Sequence, residues 1–322
     1  MDEVLRVEDL SVRYRVESKE IRAVEDVSLK ISRGEILGVV GESGSGKSTL
    51  AHAIVRLLPE NAYVPKGKIE ILGIDVLEIS EEELRKVRWK SFSMVFQRSM
   101  NGLSPVHRVG DQLIEAFRLH NPDSHSQDAL KRLREVLKMV KLPERVIRAY
   151  PHELSGGMMQ RAMIALALIN NPEFVIFDEA TTALDVVTQG QIIDVIKDLV
   201  EDLALTGMVI THDMGVVSEM CDRIAVMYAG KIVEVGNKED ILADPLHPYT
   251  KALISSIPDL LKEGEKLVGI PGTLPDLSQD IRGCPFAPRC PIADERCFEE
   301  SPKLSKIGER YVACFKVEDV IT

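Results

Sequence analysis

The sequence lacks any apolar run long enough to cross a lipid bilayer, which takes about 18 residues. Its longest apolar run, at residues 163–169, has the length of a buried helical segment. The first residues, Met1-Asp2-Glu3-Val4, are acidic, whereas a signal peptide opens with basic residues and continues with an apolar stretch. We therefore expect a cytosolic protein, which would serve a membrane process only by docking on another protein.

The sequence also lacks an excess of positive charge. Its 40 Lys and Arg residues are outnumbered by 51 Asp and Glu, for a formal net charge of -11. Proteins that bind nucleic acid present a basic surface, so this balance argues against nucleic acid as the main partner. Internal repeats and low-complexity tracts are missing too. The length of 322 residues suits one large domain with its own core, followed by an extension.

A P-loop motif occupies residues 41–49, which read Gly41-Glu42-Ser43-Gly44-Ser45-Gly46-Lys47-Ser48-Thr49. It lies between a predicted apolar strand at residues 36–40 and a predicted helix from 48 to about 58, the context in which such a loop binds phosphate. Glycines let backbone N–H groups turn toward phosphate oxygens, Lys47 adds positive charge, and Ser48 offers a hydroxyl to magnesium. We predict that ATP is bound by the following residues of the motif: Gly41, Ser43, Gly44, Ser45, Gly46, Lys47, Ser48 and Thr49.

The rest of the chain predicts an α/β fold with a mixed sheet. Alternating residues at 5–14 and 21–31 predict strands, and short apolar runs at 174–177 and 208–211 predict buried parallel strands with a helix at 185–203 between them. Residues 224–227 and 231–234 predict a closing hairpin. Polar, helix-like residues from about 98 to 165 predict an inserted helical subdomain. Proline recurs beyond residue 244, so we predict a domain at 1–243 and a small irregular extension at 244–322.

Polar residues follow several of the predicted strands, where they could act on a nucleotide. Asp178 could hold magnesium, and Glu179 could orient or deprotonate the attacking water. His212 could contact the terminal phosphate and the water, and Gln97 could bind magnesium and sense the phosphate. Tyr14 could stack on adenine. Without the P-loop, Gln97 would fit an ordinary surface role, and Tyr14 and His212 ordinary packing roles.

A second anion-binding motif, Leu154-Ser155-Gly156-Gly157-Met158, opens a predicted helix about a hundred residues after the P-loop. A serine and two glycines at a helix start present bare N–H groups and the positive end of the helix dipole. Two such sites in one chain predict a sandwich, in which the P-loop of one subunit and the Ser155 loop of another bind one ATP. Asp185, after Ala183-Leu184, would lie at the interface between the two subunits. Ser155, Gly156, Gly157 and Asp185 are therefore predicted to bind ATP.

Four of the five cysteines fall near the end of the sequence, at Cys284, Cys290, Cys297 and Cys314. In a reducing cytosol such a cluster indicates a metal site more often than disulfides. The spacings of five, six and sixteen residues lack the paired CxxC units of common zinc sites, and a proline follows Cys284 and Cys290 as in some iron–sulfur runs. Iron–sulfur, zinc and unliganded or disulfide states stay open. Cys221 is predicted to be a small buried residue.

The order P-loop, LSGGM, Asp178-Glu179, His212 resembles the ATP-hydrolysing subunits of ABC transporters over residues 1–240. Tyr150-Pro151-His152-Glu153, before the LSGGM motif, is similar to importers. Residues 246–253, LHPYTKAL, residues 270–275, IPGTLP, and the cysteines resemble the oligopeptide/dipeptide permease ATP-binding subunits.

This resemblance implies a P-loop ABC ATPase that drives the import of oligopeptides or dipeptides. It implies a second ATPase subunit, identical or paralogous, two membrane permease subunits and, indirectly, an extracytoplasmic substrate-binding protein, so the chain would lie on the cytoplasmic face of the cell membrane. Its implied cofactors are ATP, Mg²⁺ and a [4Fe–4S] cluster on the four C-terminal cysteines. Residues 98–105, next to Gln97, are the predicted docking segment.

One residue departs from the pattern of the subfamily, because Ala180 stands where proline usually follows Glu179. Glu179 is intact, so an active site is expected. The cargo could also be an oligosaccharide or nickel. Functions of other classes are a soluble ABC ATPase acting on nucleic acid or ribosomes, which the charge disfavours, and a metal-binding regulatory module, which would not need an intact Lys47, Glu179 and His212.

Overall fold

The fold is described from a computed structural model, which places residues 2–97, 102–182, 184–256 and 269–317. The chain forms two compact units. Unit 1 comprises Met1–Val4, Ser32–Gly34 and Ile71–Met208, and unit 2 comprises Leu5–Ile31, Glu35–Glu70 and Val209–Thr322. The predicted domain division at residue 243 stays a prediction, since unit 2 has residues on both sides of it. Over the placed ranges, no helix has the length and apolar character that crossing a membrane requires.

Unit 2 contains two sheets. The first has the order β2-β1-β4, with β1 at Glu3–Val16, β2 at Lys19–Ser32 and β4 at Ala62–Ile71. The second has the order β11-β12-β10-β9-β3, and its strands are β3 Ile36–Val40, β9 Arg223–Tyr228, β10 Lys231–Asn237, β11 Ser305–Ile307 and β12 Arg310–Val312. β3 and β9 run parallel, with Leu37 opposite Arg223. All five residues of β3 are buried, as expected for the strand that leads into the P-loop.

The predicted closing hairpin is confirmed. β9 and β10 pair antiparallel through a turn at Ala229 and Gly230, both of which have positive φ. The helices of unit 2 are α1 Lys47–Ile54, α7 Met214–Met220, α8 Lys238–Ala243, α9 Pro248–Ser255 and α10 Glu295–Glu299. α1 ends four residues before the predicted Leu58, because the backbone turns left-handed at Arg56, with φ 53°.

The extension is less irregular than expected. Besides α9 and α10, it supplies the short strands β11 and β12, and β12 pairs antiparallel with β10, Val312 opposite Glu234. A small core forms where Phe315 packs with Ala287 and Cys297. The prolines lie outside these strands, so they do not interrupt the ladder.

Unit 1 combines a parallel sheet edge with a group of helices. Its strands are β5 Ile74–Asp75, β6 Phe92–Val95, β7 Phe174–Asp178 and β8 Thr206–Ile210, which ends in unit 2. The order is β8-β7-β6, with β6 and β7 parallel. Its helices are α2 Glu81–Val87, α3 Val109–His120, α4 Ser126–Met139, α5 Gly156–Leu168 and α6 Val186–Leu203.

The range of the predicted helical subdomain contains α3, α4 and most of α5, with 3-10 turns at Glu144–Arg148 and Pro151–Glu153, and its standing as a subdomain stays a prediction. α4 buries Ala129, Leu133, Val136 and Leu137, one face at helical spacing, and leaves its polar face exposed. Residues 98–101, with which the predicted subdomain begins, lie outside the described residues. The polar composition of this part of the sequence therefore belongs to the outer faces of a packed helical group.

Candidate active site

The P-loop of unit 2 has a backbone that only glycine can follow at two of its positions. Gly41 has φ 151° and Gly46 has φ 104°. A Cβ atom on Gly41 would lie 2.1 Å from the carbonyl oxygen of Met227, and one on Gly46 would lie 2.3 Å from that of Ala23. Because both neighbours are backbone atoms, they could not move aside for a side chain. The loop is therefore pressed against the surrounding strands.

Lys47 is buried at the base of the loop, with 5% of its surface exposed. Its ammonium group donates to the carbonyl oxygens of Gly41, at 2.8 Å, and Glu42, at 2.9 Å. Ser45 is buried beside it, and its carbonyl oxygen accepts a bond of 2.8 Å from the amide of Gly230 in the β9–β10 turn. The hairpin thus helps to hold the loop that positions the ammonium group.

The remaining predicted residues of unit 2 lie at the rim of this loop or follow β8. Ser43 and Gly44 are exposed, and Ser48 and Thr49 are half-buried in the first turn of α1. The hydroxyls of Tyr14 and Thr49 are 3.1 Å apart, so Tyr14 reaches the motif from the end of β1. His212 is exposed just beyond β8. Tyr14 therefore lies beside the motif, and its stacking on adenine stays a prediction.

The carboxylates of unit 1 end a wholly buried strand. Asp178 is the buried last residue of β7, and Glu179 follows it with φ 45°. Gln97, just after β6, donates its side-chain amide to the Glu179 carboxylate, so the structure brings these two predicted residues together. Thr182 also donates its hydroxyl to this carboxylate, at 2.9 Å. Sequence reasoning missed Thr182, although its spacing of three residues from Glu179 was a usable signal.

The LSGGM segment forms the predicted helix start. Ser155 caps α5, its hydroxyl accepting a bond of 3.3 Å from the amide of Met158. Gly156 and Gly157 form the first turn of the helix, and a Cβ atom on Gly157 would lie 2.5 Å from the methyl group of Thr188. The first turn of α5 thus lies directly against the Thr188 side chain of α6, which would have to shift for any larger residue at this position.

Asp185 caps α6 on the other side of that contact. Its carboxylate accepts bonds from the hydroxyl of Thr188, at 2.6 Å, and from the amide of Thr188, at 3.0 Å. Both bonds lower the pKa of Asp185 from its ordinary value, and the bond from the hydroxyl has the larger effect. Thr188 thus connects the LSGGM helix to Asp185 and is a second missed residue, signalled only by the Asp-x-x-Thr cap spacing. Ala183, predicted beside it at the interface between the two subunits, lies outside the described residues.

The four C-terminal cysteines line one small cavity of unit 2, together with the rings of Phe286 and Phe315. Burial raises the pKa of Cys284 to about 11 and also raises the pKa values of Cys290 and Cys314. Within the placed residues, no group of three or more His, Cys, Asp or Glu side chains is arranged to hold a metal ion. Cys221 is buried apart from them, and burial raises its pKa to about 12, as expected of a packing residue.

Comparison with known proteins identifies the family of this chain. A family model described as "ABC transporter" matches residues 24–182, and one described as "Oligopeptide/dipeptide transporter, C-terminal region" matches residues 233–297. The chain is 46% identical to the "Probable peptide ABC transporter ATP-binding protein y4tR" of Sinorhizobium fredii, over 99% of this chain and 97% of that protein. The chain belongs to the ABC transporter ATP-binding proteins of the oligopeptide/dipeptide family.

Other members and solved structures agree with this assignment. The chain is 42% identical to the "Oligopeptide transport ATP-binding protein OppD" of Escherichia coli, over 99% of this chain and 95% of that protein. Among solved structures, the "Dimeric Structure of MJ0796, a Bacterial ABC Transporter Cassette" superposes with a TM-score of 0.66 at 31% identity, covering 73% of this chain and 98% of that chain. The predicted ABC ATPase fold, family and enzyme class are thereby confirmed.

The contact between α5 and α6 gives this ABC ATPase a testable packing constraint. We expect Gly157→Ala to lower the free energy of unfolding by about 1–3 kcal/mol, because the added methyl group overlaps Thr188. Gly190→Ala, in the same α6, meets no atom within 4 Å and should be neutral or stabilising by up to about 1 kcal/mol. Urea unfolding of both variants checks this, and equal stabilities would contradict the close approach.

Proposed function

We propose that this chain is the ATP-hydrolysing subunit of an importer for oligopeptides or dipeptides. The observation that carries the proposal is the combination, in one chain, of an ABC transporter match at residues 24–182 with a match to the C-terminal region of oligopeptide/dipeptide transporters at residues 233–297. Relatives named for peptide transport match along nearly the whole chain. An ATPase of this kind supplies the free energy for transport, and its membrane partners form the path along which the cargo crosses the membrane.

The nucleotide is bound first by the P-loop. Backbone N–H groups of the loop face the phosphates, and the ammonium group of Lys47 moves from the carbonyls of Gly41 and Glu42 to the outer phosphates. Tyr14 packs against the adenine. The hydroxyl of Ser48, the amide oxygen of Gln97 and the carboxylate of Asp178 are oxygen ligands of the type that magnesium prefers. Magnesium, when bound, neutralises charge on the phosphates.

Hydrolysis depends on Glu179, which accepts the proton of the attacking water as that water approaches the terminal phosphate. Gln97 and Thr182 hold the Glu179 carboxylate in place by donating to it. His212 donates a hydrogen bond to the terminal phosphate, where negative charge develops.

We propose that a second ATPase subunit, identical or paralogous, completes each site. The Ser155 cap leaves the N–H groups of Gly156 and Gly157 at the positive end of α5, where a phosphate of ATP held by the other subunit is stabilised. Asp185 lies beside this helix start. ATP thus joins two subunits, and its hydrolysis releases them. The nucleotide therefore shifts the equilibrium between joined and separated subunits, and this change is passed on to the membrane partners.

The membrane partners are two permease subunits, served from outside by a substrate-binding protein. The proposed docking surface is the helical group of unit 1, next to Gln97, where Val106 and Leu119 are exposed apolar side chains. Residues 98–101 of the predicted docking segment lie outside the described residues. This partner set places the chain on the cytoplasmic face of the cell membrane.

Reconstitution tests this function and its cargo. The full chain would be purified with its membrane subunits and placed in liposomes with the substrate-binding protein and labelled cargo. We expect ATP-dependent uptake of short peptides. Uptake of oligosaccharide or nickel in place of peptide would reassign the cargo, and absence of ATP-dependent uptake of all three would refute the importer.

We further propose that Cys284, Cys290, Cys297 and Cys314 hold a [4Fe–4S] cluster, with zinc as the alternative. Four thiols are the ligand set of such a cluster, and all four line the same cavity, but their sulfur atoms are not yet arranged as a metal site, so binding would have to draw them together. Its role would be structural, since the small core around Phe315 gives the extension little apolar burial of its own.

Replacing the four cysteines and measuring bound metal test whether the extension holds a cluster. Replacing all four cysteines by serine should abolish metal binding and lower the melting temperature by about 5–10 °C, while nucleotide binding persists. Iron, acid-labile sulfide and zinc would be measured on anaerobically purified protein, with Cys221→Ala as the matched control. About four irons with sulfide support the cluster, whereas zinc or no metal contradicts it.

A further inference from the structure

A carboxylate lies inside the loop that receives the nucleotide. Glu42 is the second residue of the P-loop, and its carbonyl oxygen accepts a bond from Lys47. Its amide donates to the hydroxyl of Tyr249, at 2.9 Å, from the first turn of α9. ATP carries several negative charges, so an uncompensated carboxylate at this position would oppose its binding. Glu42 therefore needs a positive partner close by.

Arg289, from the 3-10 turn at Ala287–Arg289 of the extension, is that partner. Its guanidinium group donates two parallel bonds to the Glu42 carboxylate, of 2.7 and 2.9 Å, and its side chain is 5% exposed. A bidentate pair of this kind is both stronger and more directional than a single contact. The charge of Glu42 is thus neutralised by a residue 247 positions further along the chain.

Further contacts hold the guanidinium group in this orientation. Its Nε atom donates to the carbonyl oxygen of Pro271, at 2.7 Å, and one terminal nitrogen donates to the hydroxyl of Tyr228, at 3.2 Å. The group also lies 5.9 Å from the ring centroid of Phe286, which lines the cysteine cavity. The next residue in sequence, Cys290, lines that cavity too. Arg289 therefore connects the cysteine-lined part of the extension to the P-loop.

We propose that Arg289 is a positioning residue that acts through Glu42, neutralising this carboxylate so that the P-loop accepts the charge of a nucleoside triphosphate. The inference rests on the proposed function, in that the P-loop is taken as the ATP site. It assigns to the extension a direct part in nucleotide affinity. The family region matched at residues 233–297 would then serve ATP binding as well as any metal it holds.

Equilibrium binding of ATP to the full chain tests the proposal with three variants. Arg289→Gln leaves Glu42 unneutralised, and we expect about tenfold weaker ATP binding, with a smaller loss for ADP because it carries less charge. Glu42→Gln removes the repulsive charge and should bind ATP at least as tightly as the unmodified protein. The double variant should return to within about threefold of the unmodified affinity.

The ATP affinity of the double variant distinguishes this role from a purely structural one. If Arg289 only supported the fold, the double variant would remain as weak as Arg289→Gln, and Glu42→Gln would also bind ATP less tightly. Either result, or unchanged affinity in Arg289→Gln, would overturn the proposal. If Arg289→Gln does not fold, Glu42→Gln alone tests the proposal. Weaker ATP binding by Glu42→Gln than by the unmodified protein would then overturn it.

Two controls complete the design. Arg296 directly precedes another cluster cysteine and packs its guanidinium over the ring of Phe315, 3.8 Å from the centroid. Arg296→Gln disturbs the packing on Phe315, which lines the cysteine cavity, but leaves the bonds between Arg289 and Glu42 in place, so its ATP affinity should be unchanged. A loss of affinity equal to that of Arg289→Gln would overturn the specific role of Arg289. Lys47→Ala tests the site itself, since unchanged binding in that variant would refute the P-loop as the ATP site rather than the role of Arg289.

Discussion

Replacing Glu179 with glutamine is expected to leave ATP binding intact and to slow ATP hydrolysis by about 10²–10³-fold. Glutamine keeps the hydrogen bonds from Gln97 and Thr182 in part but cannot accept a proton from water. Because ATP then stays bound, the variant should accumulate as a dimer when ATP is present. Phosphate release would measure the rate, and light scattering during size-exclusion chromatography would measure the dimer.

Glu173→Gln is the matched control for this experiment. Glu173 directly precedes β7, whereas Glu179 directly follows it, and Glu173 bonds Arg33 on the surface. The control variant should hydrolyse ATP at the unmodified rate. Normal turnover in Glu179→Gln would refute Glu179 as the base.

Replacing Lys47 with alanine is expected to weaken ATP binding by about a hundredfold, which corresponds to about 2.8 kcal/mol. The variant removes the positive charge at the outer phosphates and leaves the carbonyl oxygens of Gly41 and Glu42 without the ammonium donor. Titration with a fluorescent ATP analogue would measure the affinity, and circular dichroism would confirm that the chain still folds.

Lys68→Ala controls for the loss of a lysine elsewhere in unit 2. Lys68 lies in β4 and pairs with Glu70 at the surface. Its replacement should leave the affinity for the analogue unchanged. If Lys47→Ala bound the analogue as tightly as Lys68→Ala, the P-loop would not be the site of the phosphates.

The parts of the fold that could be predicted are those whose signal is local. The P-loop, the β9–β10 hairpin and the start of α5 each depend on glycines within a few residues, so their backbone could be inferred directly. Gln97 and Glu179 were each predicted as site residues, but their contact was not; it arises because the two neighbouring strands run parallel and the carboxyl ends of such strands share one edge.

The contacts that escaped prediction join distant parts of the chain. Nothing near Val312 signals that β12 pairs with β10, and nothing near Thr188 signals the helix start at Gly157. Strand β4 was missed because Pro65 and Gly67 interrupt its alternation. Such pairings depend on packing between distant elements, about which a local sequence pattern carries no information. The cluster and the roles of the individual site residues remain predictions for the experiments above.

The order of synthesis adds a consequence to the bond between Glu42 and Arg289. The P-loop leaves the ribosome early, but Tyr228, Tyr249 and Arg289, which contact Glu42 or its partner, emerge much later. At 5–20 residues per second, the 247 positions between Glu42 and Arg289 take roughly 12–50 s to translate. A nascent chain would therefore carry an unfinished nucleotide pocket for most of its synthesis. Fragments that end before Arg289 should therefore bind ATP more weakly than the full chain.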